Sequence, residues 1–470
     1  MASVQPSGEA VPAAPSARRP WGLAVVLLAG MAVLFFSTYN VANWLASQRA
    51  AVPYFHYDWE RHIPFVPWTI LPYWSIDLLY GLSFFLWRTR DGLLTHVKRL
   101  LMAQVVSVAC FIAFPLRFAF ERPPADGWAG QLFTLLGGFD KPFNQAPSLH
   151  ISLLVVLWVA YALHLPRQWR WLLHAWFALI GVSVLTTYQH HWIDVPTGWL
   201  VGWLCVFAFP LARAVAPAEM TGAAGMAGMA VGVEPPRVDP HARALASRYG
   251  IGAVLFLVLS LVALRVSVTA WLLLTWIAAA LLCVAWIYRM GRAEGFGKRD
   301  DGGLPMAAWW MLAPYLAGAF VNTRWWTRGH AAVNHVADGV WIGRLPGKAE
   351  MQQADADAWL DLTAEFPRWV ECDAYACVPV LDLTVPSQAQ LRRAVAQIEA
   401  WHREGRTVLV TCALGYSRSA LVVACWIAAH RQCPAARALD TLRAARPHVV
   451  LGPASVTALE AFVEAWHGKR

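Results

Sequence analysis

The stretch "VLVTCALGYSRSALVV", Val408 to Val423, sets Cys412 six positions before Arg418. A β-branched apolar run leads into the cysteine, small residues follow it, and apolar helix formers resume after the arginine. That order predicts a buried strand, a tight loop and a helix. Backbone N–H groups along such a loop, with the helix dipole behind them, form a cradle for an anion. A thiol at the base of the loop gains from that field. Its pKa can fall from about 8.5 to below neutrality, which makes it a nucleophile at cellular pH.

Five residues between Cys412 and Arg418 let the loop encircle a phosphoryl group, and Arg418 closes the ring with a planar fork on two oxygens. Gly415 relieves crowding where the backbone must turn. Ser419 can donate to a departing thiolate. Upstream, "VPVLDLTVP" supplies Asp382, placed to protonate a leaving oxygen and later to take a proton from water. The loop side chains Ala413, Leu414, Tyr416 and Ser417 carry no charge, which favours a substrate with one phosphate, on lipid or protein.

The rest of the 470-residue chain has a different texture. Hydrophobic residues make up 58% and charged residues 14%, values that exclude disorder and point to a membrane protein. The 27 tryptophans fit the headgroup zone of a bilayer. The formal charge is +9, but the arginines sit at the ends of apolar segments rather than in one stripe. They read as orientation signals and anionic-lipid contacts, and nucleic acid is excluded as a partner. Of eight cysteines, Cys110, Cys205 and Cys283 lie in apolar runs, and five fall in the last hundred residues with no metal-ligand spacing.

Residues 1–20 are rich in Ala, Pro and Ser and read as a disordered tail. Six apolar segments follow: Trp21–Phe36, Trp68–Trp87, Leu100–Phe114, Ile151–Leu165, Trp171–Thr187 and Val195–Leu211. They compose an all-α transmembrane bundle over 21–212. A Gly- and Pro-rich linker (213–248) leads to further membrane helices and an interfacial segment within 249–330. From 334 to 470 the pattern is that of a soluble α/β domain, with strands expected at "GVWIG", "VPVLDLTV" and "TVLVT". Basic loops, "RTRDGLLTHVKR" above all, mark the cytoplasmic side. Ser47–Pro67, Pro115–His150 and Tyr188–Asp194 then lie on the other face.

Three motifs fall on that non-cytoplasmic face: "RFAFERPP" with Arg117 and Arg122, "KPFNQAPSLH" with Lys141, Ser148 and His150, and "YQHHWIDVPTG" with His190 and Asp194. Two histidines, a carboxylate and cations suit phosphoryl transfer. His190 can attack phosphorus, Asp194 can orient its imidazole, and His150 can protonate the leaving alcohol. Arg122, Lys141 and Ser148 can hold the oxygens. Lone His96, His164 and His174 read as interfacial, and Asp77 as a helix-pairing acid.

The C-terminal region, from about Asn334 to the end, resembles the dual-specificity branch of the protein tyrosine phosphatases, on "TCALGYSRSA" and the upstream "LDLT". The resemblance implies Cys412 as nucleophile, Arg418 as phosphate clamp, Ser419 as leaving-group hydroxyl and Asp382 as acid. Thr411 stands where that family has histidine. The segment from about Trp21 to Ala212 resembles the type 2 phosphatidic acid phosphatase superfamily, on "RP", "PSLH" and "HHWID". That implies functional roles for Arg122, Ser148, His150, His190 and Asp194. Pro115 occupies the place of the expected lysine, for which Arg117 can substitute, and Ser183-Val184 replaces the expected Ser-Arg.

The sequence thus describes a two-centre phosphatase of a bacterial inner membrane, acting on membrane lipid phosphates, with phosphoprotein as a second candidate substrate, and without metal or organic cofactor. Two other readings stay open. The membrane half can transfer a phospho-head group between lipids, or it can be only an anchor. Eight spans, with Leu304–Val321 on the membrane surface, put the thiol domain in the cytoplasm, where a free thiol persists; nine spans would put it outside.

Overall fold

The computed structural model of the chain describes residues 19–139, 141–211 and 240–468. Most of the expected N-terminal tail, and residues 213–239 of the expected linker, lie outside the described residues. The chain divides into two compact units, Met1–Glu219 and Met220–Arg470.

The first unit is helical: α1 (Trp21–Ser47), α2 (Ile70–Ser83), α3 (Arg90–Ala113), α4 (Gly127–Phe139), α5 (Leu149–His164), α6 (Arg170–Thr186) and α7 (Asp194–Ala208). Helix α4 falls in a segment expected only as an extramembrane connection. Helix α3 starts ten residues before the expected Leu100, because Thr89 caps it by accepting from the Gly92 amide. His96 is therefore not interfacial. It is fully buried, with its Nε2 2.8 Å from Ser83 Oγ. Helix α2 ends at Ser83, short of the expected Trp87.

Helices α5 and α7 pack through small residues. A Cβ on Gly198 would lie 2.5 Å from the Ser148 carbonyl, and one on Gly202 would lie 2.6 Å from Val155. Close approach of this kind is how helices associate where lipid offers no hydrophobic drive. Ser152 Oγ donates to the Ser148 carbonyl at 2.9 Å, and the Ser148 amide donates to the Asp194 carbonyl at 3.1 Å. The N-terminal ends of α5 and α7 are thereby fixed side by side, and those ends carry the second and third motifs.

The second unit opens with the antiparallel pair α8 (Pro240–Ala263) and α9 (Val268–Met290). Helix α8 begins eight residues before the expected end of the linker, residue 248. Among the described residues, five stretches are long and apolar enough to cross a membrane: α1, α3, Arg167–Thr186 (α6 with its leading 3-10 turn), α8 and α9. Helix α10 (Met306–Thr327) is outside that set. It buries Ala308, Met311, Leu312 and Thr323 on one face and leaves Trp325 and Trp326 exposed on the other.

The α/β part follows with β1 (Val333–Ala337), β2 (Val340–Gly343), α11 (Lys348–Gln353), β3 (Ala358–Thr363), β4 (Ala374–Val380), α12 (Gln388–Arg403), β5 (Val408–Thr411), α13 (Arg418–His430), α14 (Ala435–Ala445) and α15 (Pro453–His467). The sheet order is β1-β2-β5-β3-β4, antiparallel at β1–β2 and parallel elsewhere. Alternation divides the core. Val408, Val410, Leu360 and Leu362 pack with the buried face of α13, whereas Trp359 and Leu409 pack with Met351 and Phe366, and Ala319 of α10 joins that second layer. The expected strand "VPVLDLTV" is corrected: β4 ends at Val380, and Leu381–Thr384 form a turn in which Leu383 takes φ 57°.

Candidate active sites

The parallel strands deliver their C-terminal ends to one edge of the sheet, the edge where open α/β folds bind ligands. Cys412 follows β5, Asp382 follows β4, and Glu365 follows β3. Cys412 Sγ accepts from the Gly415 amide at 3.3 Å and lies 3.3 Å from Ser419 Oγ. Gly415 has φ 77°, and a Cβ there would lie 2.5 Å from the Gly343 carbonyl carbon. Both the turn and the close approach of β2 demand glycine.

Arg418 is buried at the first turn of α13. Its Nη1 donates to Glu365 Oε2 (3.1 Å) and the Val380 carbonyl (2.8 Å), and its Nη2 donates to Glu365 Oε1 (2.8 Å) and Asp382 Oδ1 (2.7 Å). Burial alone would weaken the guanidinium's hold on its proton, but the Asp382 and Glu365 carboxylates more than offset that and raise its pKa well above the usual range. The Nε–H is buried and has no partner among the described residues. A planar donor held beside a thiol, with one N–H unspent, is suited to a tetrahedral oxyanion. Burial pushes the thiols of Cys372, Cys377 and Cys425 up, Cys377 to about 12, which disfavours their thiolates. All eight cysteines are free.

In the helical unit, His190 Nδ1 lies 3.1 Å from Asp194 Oδ2, and that oxygen also accepts from the His191 amide at 3.0 Å. His150, in the first turn of α5, stacks on Tyr73 with ring centroids 4.2 Å apart, and its Nε2 is buried without a partner among the described residues. His150 and His190 both line one cavity of about 480 Å³, together with Asn144, Asp77 and apolar side chains of α1 and α2. Arg122 donates from Nε to the Thr187 carbonyl (3.2 Å) and from Nη2 to the Tyr188 carbonyl (3.4 Å), directly before the imidazole pair. Ser148 caps α5 by accepting from the Ile151 amide at 3.2 Å.

One expected clamp is tied elsewhere. Arg117 donates to the Val52 carbonyl at 3.2 Å and stacks on Tyr54, which ties it to the loop after α1. Lys141 is exposed in the connection from α4 to α5.

Residues 97–216 match the PAP2 superfamily, and residues 342–464 match the dual specificity phosphatase catalytic domain. The chain joins a PAP2 domain to a dual specificity phosphatase domain. It is a membrane protein and a phosphoric monoester hydrolase. Among solved structures, the dual specificity phosphatase part is similar to Tk-PTP in its active form (27% identity over 28% of this chain and 97% of that one, TM-score 0.27). Human DUSP28 gives 25% identity over 29% of this chain and 97% of its own, with a TM-score of 0.27. PTPMT1 in complex with PI(5)P gives 19% identity over 30% and 99%, with a TM-score of 0.26. No curated protein matches the chain.

Two residues at these sites escaped sequence reasoning. Glu365 of the phosphatase domain follows a fully buried strand, β3, whose "AWLDLT" pattern was the available signal. Glu60 of the helical unit sits in the loop between α1 and α2. It accepts from His191 Nδ1 (3.0 Å) and from the Trp192 and Tyr57 amides (3.0 and 2.7 Å). Burial would raise its pKa, but those three donors outweigh it and hold the carboxyl below the usual range. His191 Nε2 in turn accepts from the Ala119 amide at 3.0 Å, which fixes its tautomer and links the first motif to the third. Thr411, the departure from family histidine, spends its hydroxyl on Trp359 Nε1 at 2.8 Å.

Proposed function

We propose that the protein is a two-centre phosphatase of a bacterial inner membrane. The PAP2 domain hydrolyses lipid phosphate monoesters or pyrophosphates, and the dual specificity phosphatase domain hydrolyses a phosphomonoester through a phosphocysteine. In the first centre, His190 Nε2 attacks phosphorus while Asp194 holds Nδ1 and stabilises the developing charge. His150 gives its proton to the leaving oxygen and then takes one from the water that cleaves the phosphohistidine. Arg122 and Ser148, with Lys141 reaching from its loop, neutralise the phosphoryl oxygens.

In the second centre, the Cys412 thiolate attacks and the P–O bond breaks as Asp382 protonates the leaving alcohol. Arg418 offers Nε and Nη2 to two oxygens, so the substrate displaces Asp382 from Nη2 and frees it to act. Water then attacks phosphorus, Asp382 takes its proton, and Ser419 donates to the departing sulfur. Cys412 lies in the cytoplasm on this reading, where it stays reduced.

The observation that supports two centres rather than one plus an anchor is the cavity shared by His150 and His190. The test is phosphate release in detergent from a panel of lipid and peptide phosphates by wild type, His190→Ala and Cys412→Ser. Each variant should lose a different part of the panel. If the His190 variant loses nothing, the membrane half is an anchor. Radiolabelled head group passing to an acceptor lipid instead of water would make it a transferase.

A further inference from the structure

All three loops around Cys412 are docked on the membrane-side helices of the same unit. The acid loop is held by Tyr288 of α9, whose Oη donates to the Asp382 carbonyl at 3.2 Å. The thiol loop is held at Tyr416, whose hydroxyl is 2.6 Å from Nδ1 of His330, just beyond α10. The loop after β3 is held at Trp369, which packs edge-on against Trp309 and beside Phe320 of α10. The C-terminal edge of the sheet, where the chemistry is assembled, therefore faces α9 and α10 rather than open solvent.

The surroundings of that edge have the chemistry of a bilayer surface. Tyr249 of α8 sits against Tyr288 and Tyr315, with ring centroids 5.3 and 5.8 Å apart, at the end of the α8–α9 pair nearest Asp382. Arg248, Arg289 and Arg292 are exposed at that same end. Beyond Tyr315, α10 exposes Trp325 and Trp326 at 59% and 63%, and Arg328 lies 3.8 Å over the Trp325 ring. Indoles with arginines beside two apolar spans mark the headgroup level, and the cations suit anionic lipid. The pocket itself takes a single phosphate, since Ala413, Leu414, Tyr416 and Ser417 add no cation to Arg418.

We propose that the substrate of the Cys412 centre is a membrane lipid carrying one phosphate monoester, presented from the bilayer surface on which α10 lies. This rests on Cys412 being the nucleophile. A folded phosphoprotein would have to approach an edge already occupied by α9 and α10, whereas a lipid head group reaches it by lateral diffusion.

The test uses the full chain in nanodiscs, in the His190→Ala background so that only the thiol centre is read. Phosphate release is measured from dioleoyl phosphatidic acid in the disc, from a soluble phosphotyrosine peptide and from para-nitrophenyl phosphate, with Cys412→Ser subtracted. The expected result is kcat/KM at least about tenfold higher for the lipid than for the peptide, with para-nitrophenyl phosphate also hydrolysed. Equal or faster turnover of the peptide, with para-nitrophenyl phosphate still hydrolysed, overturns the lipid assignment and leaves the thiol chemistry standing. No Cys412-dependent release from any of the three overturns the nucleophile and this inference with it. Tyr288→Phe provides a second readout: the acid loop loses its tether, so kcat falls and its pH profile shifts, while KM for the lipid changes little.

Discussion

Arg418 and Glu365 form a two-pronged ion pair inside the phosphatase domain, Nη1 to Oε2 at 3.1 Å and Nη2 to Oε1 at 2.8 Å. Both side chains are at most 2% exposed. Removing one partner of such a pair leaves a buried charge uncompensated, which costs about 3–5 kcal/mol. The pair also aims the guanidinium, and a shift of about 1 Å in a catalytic group can cost about 100-fold in rate. Glu365→Gln should therefore lower both the melting temperature and the thiol-dependent kcat/KM, the latter by about 10- to 100-fold. Calorimetry and para-nitrophenyl phosphate kinetics read the two effects. Wild-type kinetics in this variant would mean that Arg418 needs no such support.

Lys298, from the basic segment after α9, is buried against Asp361 on β3, and its ammonium also donates to the Thr363 carbonyl at 2.8 Å and hydroxyl at 2.9 Å. Asp361 accepts a further bond from Tyr375 Oη at 3.0 Å. Lys298→Met should destabilise the second unit by about 3–5 kcal/mol, and adding Asp361→Asn should restore part of the loss. A single variant as stable as the double would argue against the coupling.

Glycine at 198 is required by packing. A Cβ there would press on the Ser148 carbonyl and on Ile151, both in the segment that carries His150. Gly198→Ala should push α5 off α7 and abolish His190-dependent turnover while leaving Cys412-dependent turnover in place. Full activity at both centres in this variant would contradict the role assigned to the α5–α7 contact.

Glu60 gives a pH dependence of known sign. Its folded pKa is depressed, chiefly through bonds from His191, Tyr57 and Trp192 that outweigh burial. Its contribution to stability is present above the unfolded carboxyl range and lost as pH falls below about 4.5 through the folded pKa. Glu60→Gln should flatten the acid limb of the stability profile. A melting profile between pH 3 and 7 that superimposes on wild type would remove Glu60 from the third-motif loop's support.

What the sequence made legible was set by local chemistry. The thiol loop carries its own strand, glycine and helix start, so Cys412, Arg418 and Ser419 could be read together. Helices α14 and α15 are announced locally by Pro434 and Pro453 at their starts and by amphipathic spacing within them. Strand β3 was missed because it is buried on both faces and shows no alternation. Glu365 and Glu60 belong to no local pattern, since each meets its partner across 53 and 131 residues of chain. The strand expected to run through Asp382 ended early because Leu383 takes a left-handed conformation that a run of β-formers does not announce. Arg117 reads as a spare phosphate clamp in the sequence; in the fold its Nε donates to the Val52 carbonyl and its guanidinium lies over Tyr54.

Two covalent centres in one chain are the central proposal. The most direct test is rapid quenching of the full protein during turnover of ³²P-labelled lipid phosphate, followed by peptide mapping of the label under alkaline conditions. Label is expected on two peptides, one containing Cys412 and one containing His190, each lost only in its own variant. Label confined to the Cys412 peptide, with lipid turnover untouched by His190→Ala, would contradict it.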